Sequence, residues 1–159
     1  MIQCAFENGN KANLRHCVVD ILIISDGKIL LQKRAPDLIC GGKWALAGGY
    51  VDKDENIIDA VYREAKEETG YSIKIEKFLS VIHSPNRNNE ARQNIAFLFV
   101  ASPIKKVGEH DKEVTELQWF DLNQLPVDIE IAFDHLDHIA LYKKSLIEEI
   151  PPLTPYFIQ

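Results

Sequence analysis

A chain of 159 residues, 46% hydrophobic and 26% charged, is long enough to bury one substantial core and has the make-up of an ordinary globular domain. Its net charge of −6 disfavours a nucleic-acid backbone binder, which needs a basic stripe, though a nucleotide held locally or through cations stays open. The start, Met1 to Glu7, lacks a basic segment ahead of an apolar run, and no apolar stretch approaches the roughly 18 residues of a membrane span, so neither a signal peptide nor a membrane partner is expected.

In chain order, Cys17 to Ile24 reads as a buried strand, Ser25-Asp26-Gly27-Lys28 as a tight turn and Ile29 to Arg34 as the returning strand of a hairpin. Ala35 to Gly42 is a loop, followed by a short extended segment, Trp44 to Val51, kinked at Gly48-Gly49. A helix is expected to open at Asn56, with Asp59 reciprocating as in a capping box, and to close at Gly70 as a left-handed cap. Strands follow over Ser72–Ile82, Asn94–Ala101 and Thr115–Phe120, the first two separated by a polar loop from His83 to Arg92. A last helix is expected from about Ile131 to Glu149, stopped by Pro151-Pro152. No repeat, low-complexity run or linker divides the chain, so one mixed α/β domain over residues 1–159 is expected. Cys4, Cys17 and Cys40 fit neither a disulfide framework nor a zinc spacing, which favours reduced thiols and a cytoplasmic location.

The run Arg63-Glu64-Ala65-Lys66-Glu67-Glu68-Thr69-Gly70 is the unusual stretch. At about 100° per residue, Glu64, Glu67 and Glu68 share one arc of the helix, beside the apolar arc of Ile57, Ile58, Val61 and Ala65. A solvated face interleaves Lys with Glu. Here Glu64 and Glu68 repel at a spacing of four, which costs a few tenths of a kcal/mol unless a cation neutralises them. A cluster of hard oxygen ligands suits Mg²⁺ or Mn²⁺.

The stretch from Gly49 through Glu55, Arg63-Glu64 and Glu67-Glu68 to Gly70 resembles the signature of the Nudix hydrolase family, G-x5-E-x7-R-E-U-x-E-E-x-G-U with U aliphatic. Every fixed position is matched. Ala65 and Tyr71 depart at U positions, which concern packing, and Ala47 stands where many relatives have Pro. The hairpin ending in Leu31-Gln32-Lys33-Arg34, the Gly42 to Leu46 approach and Leu117 to Phe120 also resemble the family, so the likeness covers roughly Val18 to the end of the last helix. It implies a Nudix-type α/β/α sandwich with a mixed central sheet.

The resemblance further implies that Glu64, Glu67, Glu68 and the carbonyl of Gly48 bind Mg²⁺ or Mn²⁺, that Arg63 orients the glutamates and that Glu55 braces the loop–helix junction. A bound divalent ion offsets leaving-phosphate charge and acidifies the attacking water. The general base falls among Glu64, Glu68, Glu109 and Glu113, the last two in an acidic loop whose plain reading is a solvated connection. For the substrate, the family associates a Pro about fifteen residues past the box with ADP-ribose hydrolysis, and Pro85 stands there. Ala132-Phe133-Asp134-His135 likewise resembles members that act in nicotinamide-nucleotide metabolism, although Asp134 also reads simply as an N-cap. Arg34, Arg87 and Arg92 suit bidentate phosphate contacts, and Trp44, Tyr50 and Phe120 offer either stacking faces or core packing. The expected function is Mg²⁺-dependent hydrolysis of ADP-ribose to AMP and ribose 5-phosphate, in a protein whose relatives are commonly homodimers. The alternatives are hydrolysis of nucleoside triphosphates and a non-catalytic ADP-ribose sensor.

Overall fold

The structure is a computed structural model that describes residues 2–87 and 92–154. A hairpin of β1 (Ile2–Ala5) and β2 (Lys11–Leu14) comes first and forms a sheet of its own. The main sheet is built from β3 (Cys17–Ser25), β4 (Lys28–Arg34), β5 (Trp44–Ala45), β6 (Ala47–Tyr50), β7 (Tyr71–Ile82), β8 (Ile95–Lys106), β9 (Val114–Asp121) and β10 (Leu153–Thr154). Its strand order is β10-β7-β8-β3-β4-β5, with β6 paired to β3 and β9 to β4. The β3–β8 and β7–β10 pairs are parallel and the other named pairs antiparallel, so the sheet is mixed.

Helices cover both faces, and β3 shows why. Val19, Ile21 and Ile23 point to one side, where they pack with Ala60, Val61 and Ala65 of α1 (Ile57–Thr69). Val18 and Leu22 point to the other, towards Ile139, Leu141 and Tyr142 of α2 (His135–Lys144). Two apolar layers on a period of two make an α/β/α sandwich. Asp20 falls on the α2 face by the same alternation and is buried there.

The β3–β4 turn has Asp26 at φ 49° and Gly27 at φ 73°, the left-handed pair of a two-residue hairpin turn. Helix α1 is capped as its sequence dictates. The Asn56 side chain accepts from the Asp59 amide at 3.0 Å, and Gly70 closes the helix at φ 70° with its amide on the Lys66 carbonyl. Ile58, expected beside the core, is exposed.

Other bounds differ from the sequence reading. Strand β8 runs on to Lys106 because β7 pairs with it throughout, and Pro103 is tolerated next to the register shift at Ser72/Ile73. Helix α2 starts only at His135, since the chain ahead is held extended by the bridge between Trp44 and Ile131 and a hydrogen bond from the Ala132 amide to the Trp44 carbonyl at 2.7 Å. It ends at Lys144, well before the two prolines; Pro152 instead lies next to β10, its carbonyl bonded by the Val81 amide. Met1, 155–159 and, within the polar loop, 88–91 lie outside the described residues. Cys4, Cys17 and Cys40 are unbridged. Among the described residues, no helix is long and apolar enough to cross a membrane.

Candidate active site

The acidic turn of α1 is not a solvated face. Glu64 and Glu68 are buried and continue the apolar stripe of Ala60, Val61 and Ala65, while Glu67 is half exposed. Glu68 Oε2 accepts two hydrogen bonds at 2.7 Å, from Gln32 Nε2 on β4 and from the amide of Gly48 on β6. Glu64 Oε1 accepts from Arg63 Nη1 at 2.7 Å, and the same nitrogen reaches Glu67 Oε2 at 3.1 Å. Arg63 closes a two-bond fork on Glu55 (2.6 and 3.1 Å) and donates to the Tyr50 carbonyl at 3.0 Å. Glu55 also accepts from the Asp52 amide at 2.7 Å, which ties the loop before α1 to the helix.

The backbone beneath must be bare. Gly48 sits at φ 154°, and a Cβ there would meet the Val19 carbonyl; a Cβ on Gly49 would meet the Glu64 carboxylate. These two glycines leave the space into which the glutamates fit.

Burial dominates the electrostatics of the turn. Burial pushes Glu68 up to about 8 despite two donors that favour its charged form. Burial likewise raises Glu64, against the pull of Arg63. Arg63 is held above its usual range, foremost by its bonds to Glu55. An oxygen that already accepts two N–H bonds is arranged for a carboxylate, and burial is what raises it. A hard divalent ion fits that donor set.

These residues line a cleft of about 320 Å³, which also exposes Asp20, Arg34, Tyr50, Asp52, Arg87, Arg92, Asp111, Glu113, Phe133 and His135. The structure sorts the remaining expectations. Glu113 lines the cleft, whereas Glu109 does not: its side chain is 80% exposed and paired with Lys106 at 2.8 Å. Arg34 lines it; Trp44 is buried in the core, edge-on to Phe120 at 4.9 Å. Pro85 is exposed outside the lining. Arg87 borders the cleft, but its guanidinium is buried and forks onto Asp134 at 2.6 and 2.9 Å, so it anchors a neighbour and is not offered to a phosphate. Asp134 makes no N-cap bond; its carboxylate is taken by that fork.

Sequence reasoning passed over Gln32 and Asp20. Each is a polar residue at an inward position of an apolar strand, and that break in pattern is the signal available. Asp20, His135 and His138 bring ligand atoms within 4.8 Å of one another, a second arrangement to weigh for a metal. The Leu46 amide donates to His135 Nδ1 at 2.9 Å, however, so the ring carries its proton on Nε2 and has no lone pair to give Asp20's neighbourhood. Burial pushes His135 down to about 4, keeping it neutral. Burial would lower His138 too, but Asp134 at 3.5 Å and Asp20 at 3.3 Å raise it. Burial alone would raise Asp134, yet His138 and Arg87 hold it well below the usual carboxylate range. The cluster is a proton-bearing anchor, not a metal site.

The NUDIX domain family matches residues 14–142. An ADP-ribose pyrophosphatase of Methanocaldococcus jannaschii is 39% identical over 126 residues, spanning 79% of this chain and 72% of that protein. A human 8-oxo-dGDP phosphatase is 28% identical over 135 residues; the chain spans 39% of its length. The crystal structure of a NUDIX hydrolase from Nitrosomonas europaea superposes with a TM-score of 0.75 at 20% identity, covering 96% of this chain and 91% of that one.

Proposed function

The chain belongs to the Nudix family of hydrolases, and on that premise we propose that it hydrolyses ADP-ribose to AMP and ribose 5-phosphate in a Mg²⁺- or Mn²⁺-dependent reaction. The observation that carries the reading is the pair Glu64 and Glu68, buried side by side at the cleft with Glu67 at its rim, a set of hard carboxylate oxygens held by Arg63, Gln32 and the Gly48 amide. We assign Glu64, Glu67, Glu68 and the Gly48 carbonyl as the groups that hold the ion, with Arg63 and Glu55 fixing them. The ion would offset phosphate charge and acidify water.

The chain's own residues do the rest. Gln32 and the Gly48 amide fix the Glu68 carboxylate, and Arg63 holds Glu64 against Glu67. Glu113 is assigned as the base that takes the water's proton, because it alone of the two loop glutamates faces the cleft. ADP-ribose is favoured by the relative that bears that name and is 39% identical over most of both chains. We further propose one domain over residues 1–159, a cytoplasmic location and a homodimer. The β1–β2 hairpin supports the last, since it pairs with no strand of the main sheet and exposes Ile2 and Leu14.

The test is a side-by-side assay at equal Mg²⁺. AMP and ribose 5-phosphate should appear from ADP-ribose, with kcat/KM above that for any deoxynucleoside triphosphate. Faster pyrophosphate release from a triphosphate would overturn the substrate; tight ADP-ribose binding without turnover would make the protein a sensor.

A further inference from the structure

Glu113 stands where the loop after β8 enters β9, and its backbone is fastened at both ends. Its carbonyl accepts the Ala35 amide at 2.8 Å, and its amide donates to Asp111 Oδ1 at 2.9 Å. Just past it, β9 pairs with β4 through a register shift. Lys33 faces Glu116 while Arg34 faces Val114, so Thr115 is an extra residue on β9. Such a bulge bends its strand and re-aims the side chains beside it. Val114, buried between Glu113 and the bulge, pins the chain there.

Asp111 joins that loop to the glutamate turn. Its amide donates to the carbonyl of Glu67, in the last turn of α1, at 2.8 Å. One residue thus holds the backbone of Glu67 through its amide and the backbone of Glu113 through its carboxylate. Asp111 and Glu113 both line the cleft. An Asp that bonds the amide two residues on is by itself a common turn former. What sets this one apart is its second bond, to the turn that bears Glu64, Glu67 and Glu68. Of the described hydrogen bonds that hold Glu113, the one to Asp111 depends on a side chain, and the bond from Ala35 is between backbones. The bond from Asp111 to Glu67 is a backbone bond too, so a substitution at 111 leaves the loop docked on α1.

We propose that Asp111 is a positioning residue, whose carboxylate sets the Glu113 peptide against the glutamate turn and so aims Glu113 at the water it deprotonates. This rests on the reading of Glu113 as the base. A base moved off its line costs rate and not binding, so the loss belongs in kcat. Asp111 is exposed, and truncating it should leave the chain folded. Asp111→Ala removes the acceptor, whereas Asp111→Asn keeps an oxygen in its place.

The measurement is steady-state hydrolysis of ADP-ribose with Mg²⁺ by these variants, by Glu113→Gln and by the double variant. A deoxynucleoside triphosphate takes the place of ADP-ribose if it proves the better substrate. Asp111→Ala should lower kcat about 30-fold with KM within about 3-fold. Mg²⁺ affinity, read by calorimetry without substrate, should stay put. Asp111→Asn should restore kcat to within about 3-fold of the unaltered protein. Glu113→Gln should lower kcat about 100-fold. Adding Asp111→Ala to it should lower kcat by less than about 2-fold more, because a residue that acts through Glu113 has nothing left to aim. Equal losses in Asp111→Asn and Asp111→Ala would overturn the proposal, since the charge and not the bond would then matter. So would additive losses in the double variant while Glu113→Gln alone behaves as expected. Undiminished turnover in Glu113→Gln would overturn the base assignment and the proposal with it, and so would an absence of turnover from either substrate.

Discussion

Glu68 shows how a single side chain carries the argument from burial to chemistry. Its carboxyl has an ordinary value of 4.5 and is pushed up to about 8 in the fold. A carboxyl raised on folding contributes stability that is whole below the unfolded value and is lost as pH rises through the folded one. Metal-free protein should therefore melt lower at pH 8 than at pH 5, saturating Mg²⁺ should raise Tm more at pH 8, and Glu68→Gln should remove most of the dependence. A flat metal-free Tm across that window in scanning calorimetry would contradict the burial account. For catalysis, Glu64→Gln or Glu68→Gln should lower turnover by about 10³-fold, roughly 4 kcal/mol of barrier. Steady-state assays showing a loss under tenfold in both would remove these residues from the centre. His135 offers an independent check: held at about 4 and bonded at Nδ1, it should stay neutral with its proton on Nε2 at pH 5.5, while His138 is already charged. Imidazole nitrogen NMR would show otherwise if Nδ1 carried the proton. The glutamates were legible in sequence because identical charges at i, i+3 and i+4 defy the usual alternation. Gln32 and Asp20 were passed over because each breaks its strand's apolar pattern only once, and Phe133, named only for the stretch it shares with Asp134 and His135, has a left-handed φ that leaves no periodic trace.

Helix α1 was the most legible element because both its ends are determined by local chemistry. Asn56 caps it by a side-chain bond, and Gly70 ends it in the left-handed region. Gly70 does more than end the helix. Its carbonyl accepts from the Val107 and Gly108 amides, and a Cβ on it would meet the Gly108 carbonyl. The helix end thereby docks the loop that carries Asp111 and Glu113, where the Asp111 amide also bonds the Glu67 carbonyl at 2.8 Å. Gly70→Ala should cost at least about 1 kcal/mol from its φ alone and more from that contact, while also displacing Glu113. Chemical denaturation showing no loss would mean that the loop yields freely. Helix α2 was overestimated at both ends for the complementary reason. Its apolar spacing continues through Leu146 and Ile147, but both are exposed, and tertiary pairing of Ile131 and Ala132 with Trp44 claims its expected first turn. Periodicity alone cannot tell a helix from a segment captured by a strand. The same limit hid the far half of β8, whose Ser102 to Lys106 are held by β7 and carry no alternation of their own.

At the scale of the whole molecule the sandwich divides its labour. The α1 face supplies the glutamates, while the α2 face supplies the anchors that fix Leu46, Asp134 and Phe133 at the cleft's edge. The β1–β2 hairpin takes no part in either layer. The chain beyond it is tethered by Arg15, which donates to the carbonyls of Gln93, Ser84 and Asn94. No strand of the main sheet pairs with it, and Ile2, Phe6 and Leu14 are exposed. A two-stranded ribbon alone is marginal in water, so a lasting hairpin needs a surface that covers its apolar side chains. A second copy of the chain meets that need with no new component, since a two-fold interface lets each hairpin use the other molecule's surface. Sedimentation at micromolar concentration should show a species of twice the monomer mass, and Phe6→Glu with Leu14→Glu should return it to monomer while leaving the glutamate site intact. A strict monomer in the unaltered protein would sink the homodimer, and the hairpin would then have to be seen to fray in hydrogen exchange, as an uncovered ribbon must.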